Sequence, residues 1–420
     1  MPREITLDAL DFTEFVRPGD LVAWGQAAAE PLPLTTALMA QRHRIGGFRA
    51  FLGITLTGTA DPAHADAVTF SSYCGSGENR RLAAAGLLDP LPCHYSDMAA
   101  RLPAEVDVLL VQVAEGPHGF SLSLAHEYLV PLVAAARLVI AEVNGRAPWT
   151  GGDGVLPADA IDVMVRTSRP VVELPAADTG PVDRAIARQV AALIDDGATL
   201  QMGLGGVPKA ILGHLADRRD LGIHSGVIGD EVVELIERGV VTNARKTVDR
   251  GVSVAGMLMG SRRLYRFADR NPTLSLRATS YTHDTGVLES IDRFVAINSA
   301  IEVDLTGQIN AETARGVHVG AVGGAVDFLR GAHRSQGGLP IIALPATAGG
   351  GDRTVSRIVG HLSGPVSTAR SDAGIIVTEY GVADLRGLTL SQRVKRMIAI
   401  AAPAFREGLE REARDLGLAR

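Results

Sequence analysis

Aromatic residues are scarce in this chain of 420 residues: Phe, Trp and Tyr together make up 4%. Its core must therefore come from Val, Leu, Ile and Ala. Cysteine is scarcer still, with Cys74 and Cys93 alone. Two thiols cannot staple a chain of this size, and no Cys-x-x-Cys spacing offers a metal site, so no disulfide framework and no bound metal are expected. A basic excess is missing too: 41 Lys and Arg stand against 47 Asp and Glu, a formal net charge of −6. That balance argues against nucleic acid as a partner. No apolar run reaches the roughly 18 residues of a membrane span. The opening MPREITLDALDF carries acids where a signal peptide would carry an apolar segment. A cytoplasmic protein without membrane or nucleic-acid partners is expected, and homo-oligomerisation stays open.

What is plentiful is glycine, at 47 residues, which implies many tight turns or close backbone approaches. The chain is 46% apolar and 21% charged, ordinary values for a globular protein. At roughly 100–200 residues per domain, its length predicts two or three domains. Short apolar runs bounded by turn residues recur at Leu21–Trp24, Val106–Val113, Leu138–Val143, Thr199–Gly203, Phe294–Ile297, Ile341–Leu344 and Ile375–Thr378. They are nearly continuous rather than alternating, as in strands buried on both faces. Helical spacing lies between them, over Asp183–Asp196 and Ser391–Ala401, and the alternation predicts an α/β layered fold.

A weak internal repeat carries more information. RPGDLVAWGQAAAEPLPLTTAL near the start resembles DDGATLQMGLGGVPKAIL near the middle, with Gly19 matching Gly197, Gly25 matching Gly203 and, after one skipped residue, Pro31 matching Pro208. Each copy reads as turn, strand, glycine loop and helix. Two related domains, 1–180 and 181–420, are expected, joined through VELPAADTGPVD, with the cleft between them as the default site.

Several residues are candidates for chemistry. Gly203, Gly205 and Gly206 form a loop between a strand and a helix, where bare amides suit a phosphate or a thioester oxygen; a plain tight turn reads equally well. The spacing is not that of a dinucleotide fingerprint, so no nicotinamide is expected. A second cluster, Gly320, Gly323 and Gly324 with Asp327 and Arg330, suits close ligand approach with an arginine for phosphate, or a simple bend with a solvated arginine. His224 and Ser225 lack the context of a catalytic pair. Glu30 follows a small-residue loop at a strand end, as a surface acid or an active-site carboxylate, and Glu379 follows a buried run, as a hydrogen-bonding or a site residue.

Taken together, AEP at Ala29–Pro31, GPHGF at Gly116–Phe120, AEVN at Ala141–Asn144, LGIHS at Leu221–Ser225, INSAIEVDLTGQIN at Ile297–Asn310, VGGAVDFLRGA at Val322–Ala332 and VTEYGVADLRG at Val377–Gly387 resemble the acetyl-CoA hydrolase/transferase family along nearly the whole chain. The resemblance implies two tandem CoA-transferase-fold domains, each α/β layered, and acyl-CoA as ligand. It places Gly320, Gly323, Gly324, Asp327 and Arg330 along coenzyme A, and Gly203–Gly206 close to the thioester. Family chemistry is ping-pong: a glutamate attacks the thioester, and the CoA thiolate then converts the acyl-glutamyl anhydride to a glutamyl-CoA thioester.

At that glutamate this chain departs. The family reads GIHSE, and here Gly226 stands after Ser225. Ala325 replaces a frequent Gln, Ser275 a frequent Glu, and Ala402 and Ala404 interrupt AHPDF. These departures predict direct attack on the thioester, by water or by a bound acceptor, with Glu30 as general base and the Gly203–Gly206 amides as oxyanion donors. Transfer to a carboxylate through a relocated side chain is the alternative; Asp230 would share the face of Gly226 if a helix began there, and Glu231 would point away. A non-catalytic CoA-binding protein is the third.

Overall fold

Each half of the chain begins its sheet in the same way. Gly19 and Gly197 take φ of +84° and +75°, a left-handed turn that suits glycine. A four-residue strand follows, Leu21–Trp24 or Thr199–Met202, buried throughout. The computed structural model describes residues 2–117 and 119–418; His118 of the GPHGF stretch lies outside them.

In the first sheet the strands stand in the order Arg3–Glu4, Val163–Thr167, Leu138–Asn144, Val108–Gly116, Leu21–Trp24, Phe48–Leu52, Val68–Ser72 and Leu88–Pro90. In the second the order is Leu274–Leu276, Ser253–Leu258, Gly222–Ile228, Thr199–Met202, Phe294–Asn298, Leu339–Ala343, Ile375–Thr378 and Gly381–Asp384. All neighbours on these paths run parallel except the last pair of the second sheet. Apart from the edge strands Arg3–Glu4 and Gly381–Asp384, the topology is the same in both. The first central strand is laid down, the chain builds outward on one side, then returns and builds on the other. The repeated glycine loops thus leave the carboxyl end of the strand at the reversal point, where open α/β sheets bind ligands.

Some local expectations shift. The helix expected over Asp183–Asp196 runs over Pro181–Ala191, and that over Ser391–Ala401 over Leu390–Ile400. Gly222–Ile228 is a strand although His224, Ser225 and two glycines break its apolar run. One apolar cluster reaches from Leu21 and Val111 in the first half to Leu200, Ile223 and Val377 in the second, so the halves share a core. Among the described residues no helix is long and apolar enough to cross a membrane.

Candidate active site

Gly226 lies in the strand Gly222–Ile228, outside the left-handed region of backbone space. A Cβ placed there would stand 3.2 Å from Cε1 and Nε2 of His283 and 3.6 Å from Cε2 of Phe328. A side chain there would therefore press lightly on the His283 ring. Gly324 faces the same imidazole, since a Cβ on it would meet Cδ2 and Nε2 at 2.6 Å. His283 follows the short helix Thr279–Thr282, and Phe328 lies on the helix Ala325–Arg334.

The first domain closes this corner by backbone pairing. His126 N donates to Gly256 O at 3.0 Å and Leu258 N to Leu124 O at 2.8 Å, so the segment around Ala125 runs against the strand Ser253–Leu258. This brings Glu127 beside Gly256, whose added Cβ would lie 3.6 Å from Glu127 Cβ and 3.0 Å from Gly226 O. The Glu127 carboxylate accepts from Tyr95 Oη at 2.5 Å and from Gln26 Nε2 at 2.7 and 2.8 Å. Gln26 Oε1 in turn accepts from Tyr73 Oη at 2.9 Å and Ile54 N at 2.7 Å. The Tyr95 ring packs on His283, with centroids 4.9 Å apart.

Burial pushes the Glu127 carboxyl up from 4.5 to about 7, against the bonds from Tyr95 and Gln26 that favour the anion. Between those two values the unfolded chain holds fewer protons than the folded one, so stability falls as pH rises from about 4.5 to 7. At ~1.4 kcal/mol per unit the swing is on the order of a few kcal/mol. Glu127→Gln should flatten that segment of the stability curve, measured by urea unfolding at a series of pH values. Parallel curves for the two proteins would show that Glu127 does not titrate there.

The glycine loop opens the helix Gly206–His214. A Cβ on Gly203 or Gly205 would meet nothing within 4 Å, whereas one on Gly206 would press on Asp178 O and the Asp183 carboxylate at 2.8 Å. Gly203 and Gly205 therefore border open space, and Gly206 is packed. Glu231, expected to point away, lines the small hollow beside Gly203 and Gly205. The helix after the strand starts at Asp230, not at Gly226. Asp230 accepts from Ser261 N and Oγ, both at 2.7 Å, and from Leu264 N at 3.2 Å. Its carboxylate is spent on the start of the next helix.

The second glycine cluster is part of the seam between domains. Gly75 N donates to Gly320 O at 2.9 Å and Tyr95 N to Gly323 O at 3.0 Å. Asp327 is buried and accepts from Ser96 N at 3.1 Å and Ser96 Oγ at 2.8 Å, and burial raises its carboxyl to about 6. Arg330 pairs with Asp372 at 3.0 Å. Glu30 is also buried, which raises its pKa, and its carboxylate accepts from Thr35 Oγ1 at 2.9 Å and Thr57 Oγ1 at 2.5 Å. These partners belong to the first domain, so the recorded contacts do not join Glu30 to Gly226. His224 and Ser225 bond to the backbone, to Thr282 O and Met202 O, and Glu379 accepts from Ala346 N at 2.8 Å.

The structure thus brings together Gly226, Gly323 and Gly324, and adds three residues that sequence reasoning passed over: Tyr95, Glu127 and His283. A signal existed for Glu127, a His-Glu pair inside the otherwise apolar stretch FSLSLAHEYLVPLV. None existed for His283, which reaches the site only through the fold.

Residues 6–174 match the acetyl-CoA hydrolase/transferase N-terminal domain, and residues 260–413 the C-terminal domain of the same family. The chain is 38% identical over 414 residues to the 4-hydroxybutyrate coenzyme A transferase of Clostridium kluyveri, covering 93% of each protein. It is 27% identical over 202 residues to an acetyl-CoA hydrolase of Kluyveromyces lactis, covering 47% of this chain and 37% of that one. Among solved structures, RipA from Yersinia pestis superposes with a TM-score of 0.93 at 33% identity, over 99% of this chain and 98% of that one. With two α/β sheets of one topology meeting at Gly226, and with relatives of this kind, the chain belongs to the acetyl-CoA hydrolase/transferase family and is an enzyme that acts on acyl-CoA.

Proposed function

We propose that this enzyme lets a nucleophile attack the bound thioester directly, giving hydrolysis or acyl transfer to a bound acceptor, with no glutamyl-CoA relay. The observation that carries this reading is the corner at Gly226. The family's nucleophile would stand there, and instead there is no side chain, with His283 3.2 Å and Phe328 3.6 Å from where a Cβ would be. The amides of Gly203 and Gly205, at the N-terminus of a nine-residue helix and bordering open space, are the oxyanion donors. Coenzyme A lies along Gly320, Gly323 and Gly324, with Asp327 and Arg330 nearby, and neither metal nor nicotinamide takes part. Glu30 would serve as general base only after release from Thr35 and Thr57; held as it is, it anchors the loop that carries Gln26.

The test is to incubate the enzyme with acetyl-CoA or butyryl-CoA, with and without acetate or hydroxylamine, and follow free thiol and intact mass. Thiol should appear in step with thioester loss, and the protein should gain no CoA mass. Exchange onto acetate without thiol release, with a hydroxylamine-cleavable CoA adduct, would overturn the reading. The position of Glu127 beside Gly256 and the backbone of Gly226 favours one alternative, transfer on a relocated carboxylate. An adduct mapping to Glu127 would select it.

A further inference from the structure

The geometry points to His283 as the proton acceptor of this site, the group that takes the proton from the water or acceptor attacking the thioester. This assignment rests on the direct-attack reading above. His283 is 4% exposed and its ring is gripped on two sides, by Phe328 with centroids 4.4 Å apart and by Tyr95 of the other domain. Its Nδ1 lies 2.8 Å from Thr282 Oγ1, and that hydroxyl donates to Ala278 O at 3.3 Å. With the hydroxyl proton on Ala278 O, the hydroxyl accepts from Nδ1–H, and this is the tautomer the assignment requires. The other nitrogen, Nε2, then keeps its lone pair. The described hydrogen bonds give Nε2 no partner. It faces the corner between Gly226 and Gly324, where any side chain would come within 3.2 and 2.6 Å of it. The next residue, Ala325, is also small where the family often carries Gln. Two glycines thus border one imidazole, and a Cβ at 226 would crowd the ring by a few tenths of an ångström. The imidazole thus borders the position of the family's nucleophile.

The tautomer matters because only a bare Nε2 can receive a proton. Burial, with His224 adding to it, lowers the His283 pKa to about 3, so the ring is neutral. The titratable groups packed around it are Tyr95 and, beyond its hydroxyl, Glu127 from the first domain, His224 on the strand and Asp327 on the helix Ala325–Arg334. In the reaction, the oxygen of water or acceptor bonds to the thioester carbon while Nε2 takes its proton. The tetrahedral oxyanion then collapses, the C–S bond breaks, and the CoA thiolate takes the proton back from the imidazolium. Water yields the acid and CoA; an acceptor yields its acyl derivative and CoA. The imidazolium forms beside two negative charges that the resting site lacks, the oxyanion and the departing thiolate, and both stabilise it.

His283→Asn in the full chain tests this with acetyl-CoA and butyryl-CoA. A positioned general base contributes about 10²–10⁴-fold. Thioester hydrolysis should therefore fall by ~10²–10⁴-fold in kcat with KM little changed. Hydroxylamine, which attacks without first surrendering a proton, should lose less than about tenfold. Independently of turnover, the imidazole resonance that the variant loses should show, in the 15N spectrum of the wild-type protein at pH 7, a neutral ring protonated on Nδ1. Full hydrolysis by a folded His283→Asn, equal losses with both nucleophiles, or a proton on Nε2 in the wild type would overturn the assignment. A CoA adduct on the wild-type protein would sink the direct-attack reading itself; its absence, with undiminished hydrolysis in the variant, would sink only the role of His283.

Discussion

Arg169→Met is expected to destabilise the protein by about 3–5 kcal/mol, the usual cost of stranding one partner of a buried ion pair. The Glu142 side chain is fully buried, and Arg169 holds it in a forked pair with Nε and Nη2 each 2.8 Å from a carboxylate oxygen. Without the guanidinium, Glu142 would keep only the hydroxyl of Thr167, at 2.6 Å. The same Nη2 reaches Glu30 O at 2.7 Å and Gln112 Oε1 at 3.0 Å, so one side chain pins the stretch leaving the first sheet to the loop at its central strand. Removing the charge along with its partner is a different experiment. Arg169→Met combined with Glu142→Leu puts apolar atoms where the pair was and should recover most of the loss. Urea unfolding of both singles and the double measures the coupling. If the double variant is no more stable than Arg169→Met, the pair is not what holds that corner.

Gly226→Glu is expected to abolish the native reaction, with a loss in kcat of ~10² or more, the lower range for losing a general base. The backbone there accepts a side chain without strain, but the Cβ starts 3.2 Å from His283, so the ring must give by a few tenths of an ångström and the carboxylate beyond the Cβ is set against Nε2. Giving the glutamate room is the second half of the experiment. In Gly226→Glu with His283→Asn the carboxylate has space to approach the thioester carbon, and proximity within about 3–3.5 Å would favour attack. That double variant should form a CoA adduct cleaved by hydroxylamine, and some transfer to acetate should accompany it. A folded Gly226→Glu with unchanged hydrolysis and no adduct would show that position 226 does not border the reacting atoms, and the direct-attack reading would go with it.

Much of the fold was legible because it is made of repetition and continuous burial. Gly19 and Gly197 announce the same left-handed turn, and Gly25 and Gly203 the same loop. Leu21–Trp24 and Ile375–Thr378 are strands to the residue, since a run buried on both faces has no polar interruption. Gly222–Ile228 was hidden for the opposite reason: polar residues and glycines interrupt it. His224 and Ser225 spend their side chains on the backbone carbonyls of Thr282 and Met202, and with Gly226 they erase the pattern by which strands are found. The departures from family motifs located Gly226 and Ala325, but not the imidazole that borders Gly226. His283 sits at the end of a four-residue helix, and Tyr95 and Glu127 come from the other sheet, so no spacing rule links them. The helix carrying Asp230 and Glu231 starts at Asp230 and not four residues earlier, so the condition under which Asp230 would share the face of Gly226 is not met.

The seam between domains also has a consequence during synthesis. The first sheet is complete once Thr167 has emerged, but the backbone around Leu124 and His126 then has no strand to bond. That strand, Ser253–Leu258, follows much later, and Phe328 later still. At about 5–20 residues per second the wait from Thr167 to Phe328 is on the order of ten seconds or more. Throughout it, the nascent half displays open backbone groups and the apolar surface that will become the shared core. This is the interval in which a chaperone would have most to shield, and in which a truncated product would be most prone to associate with its neighbours.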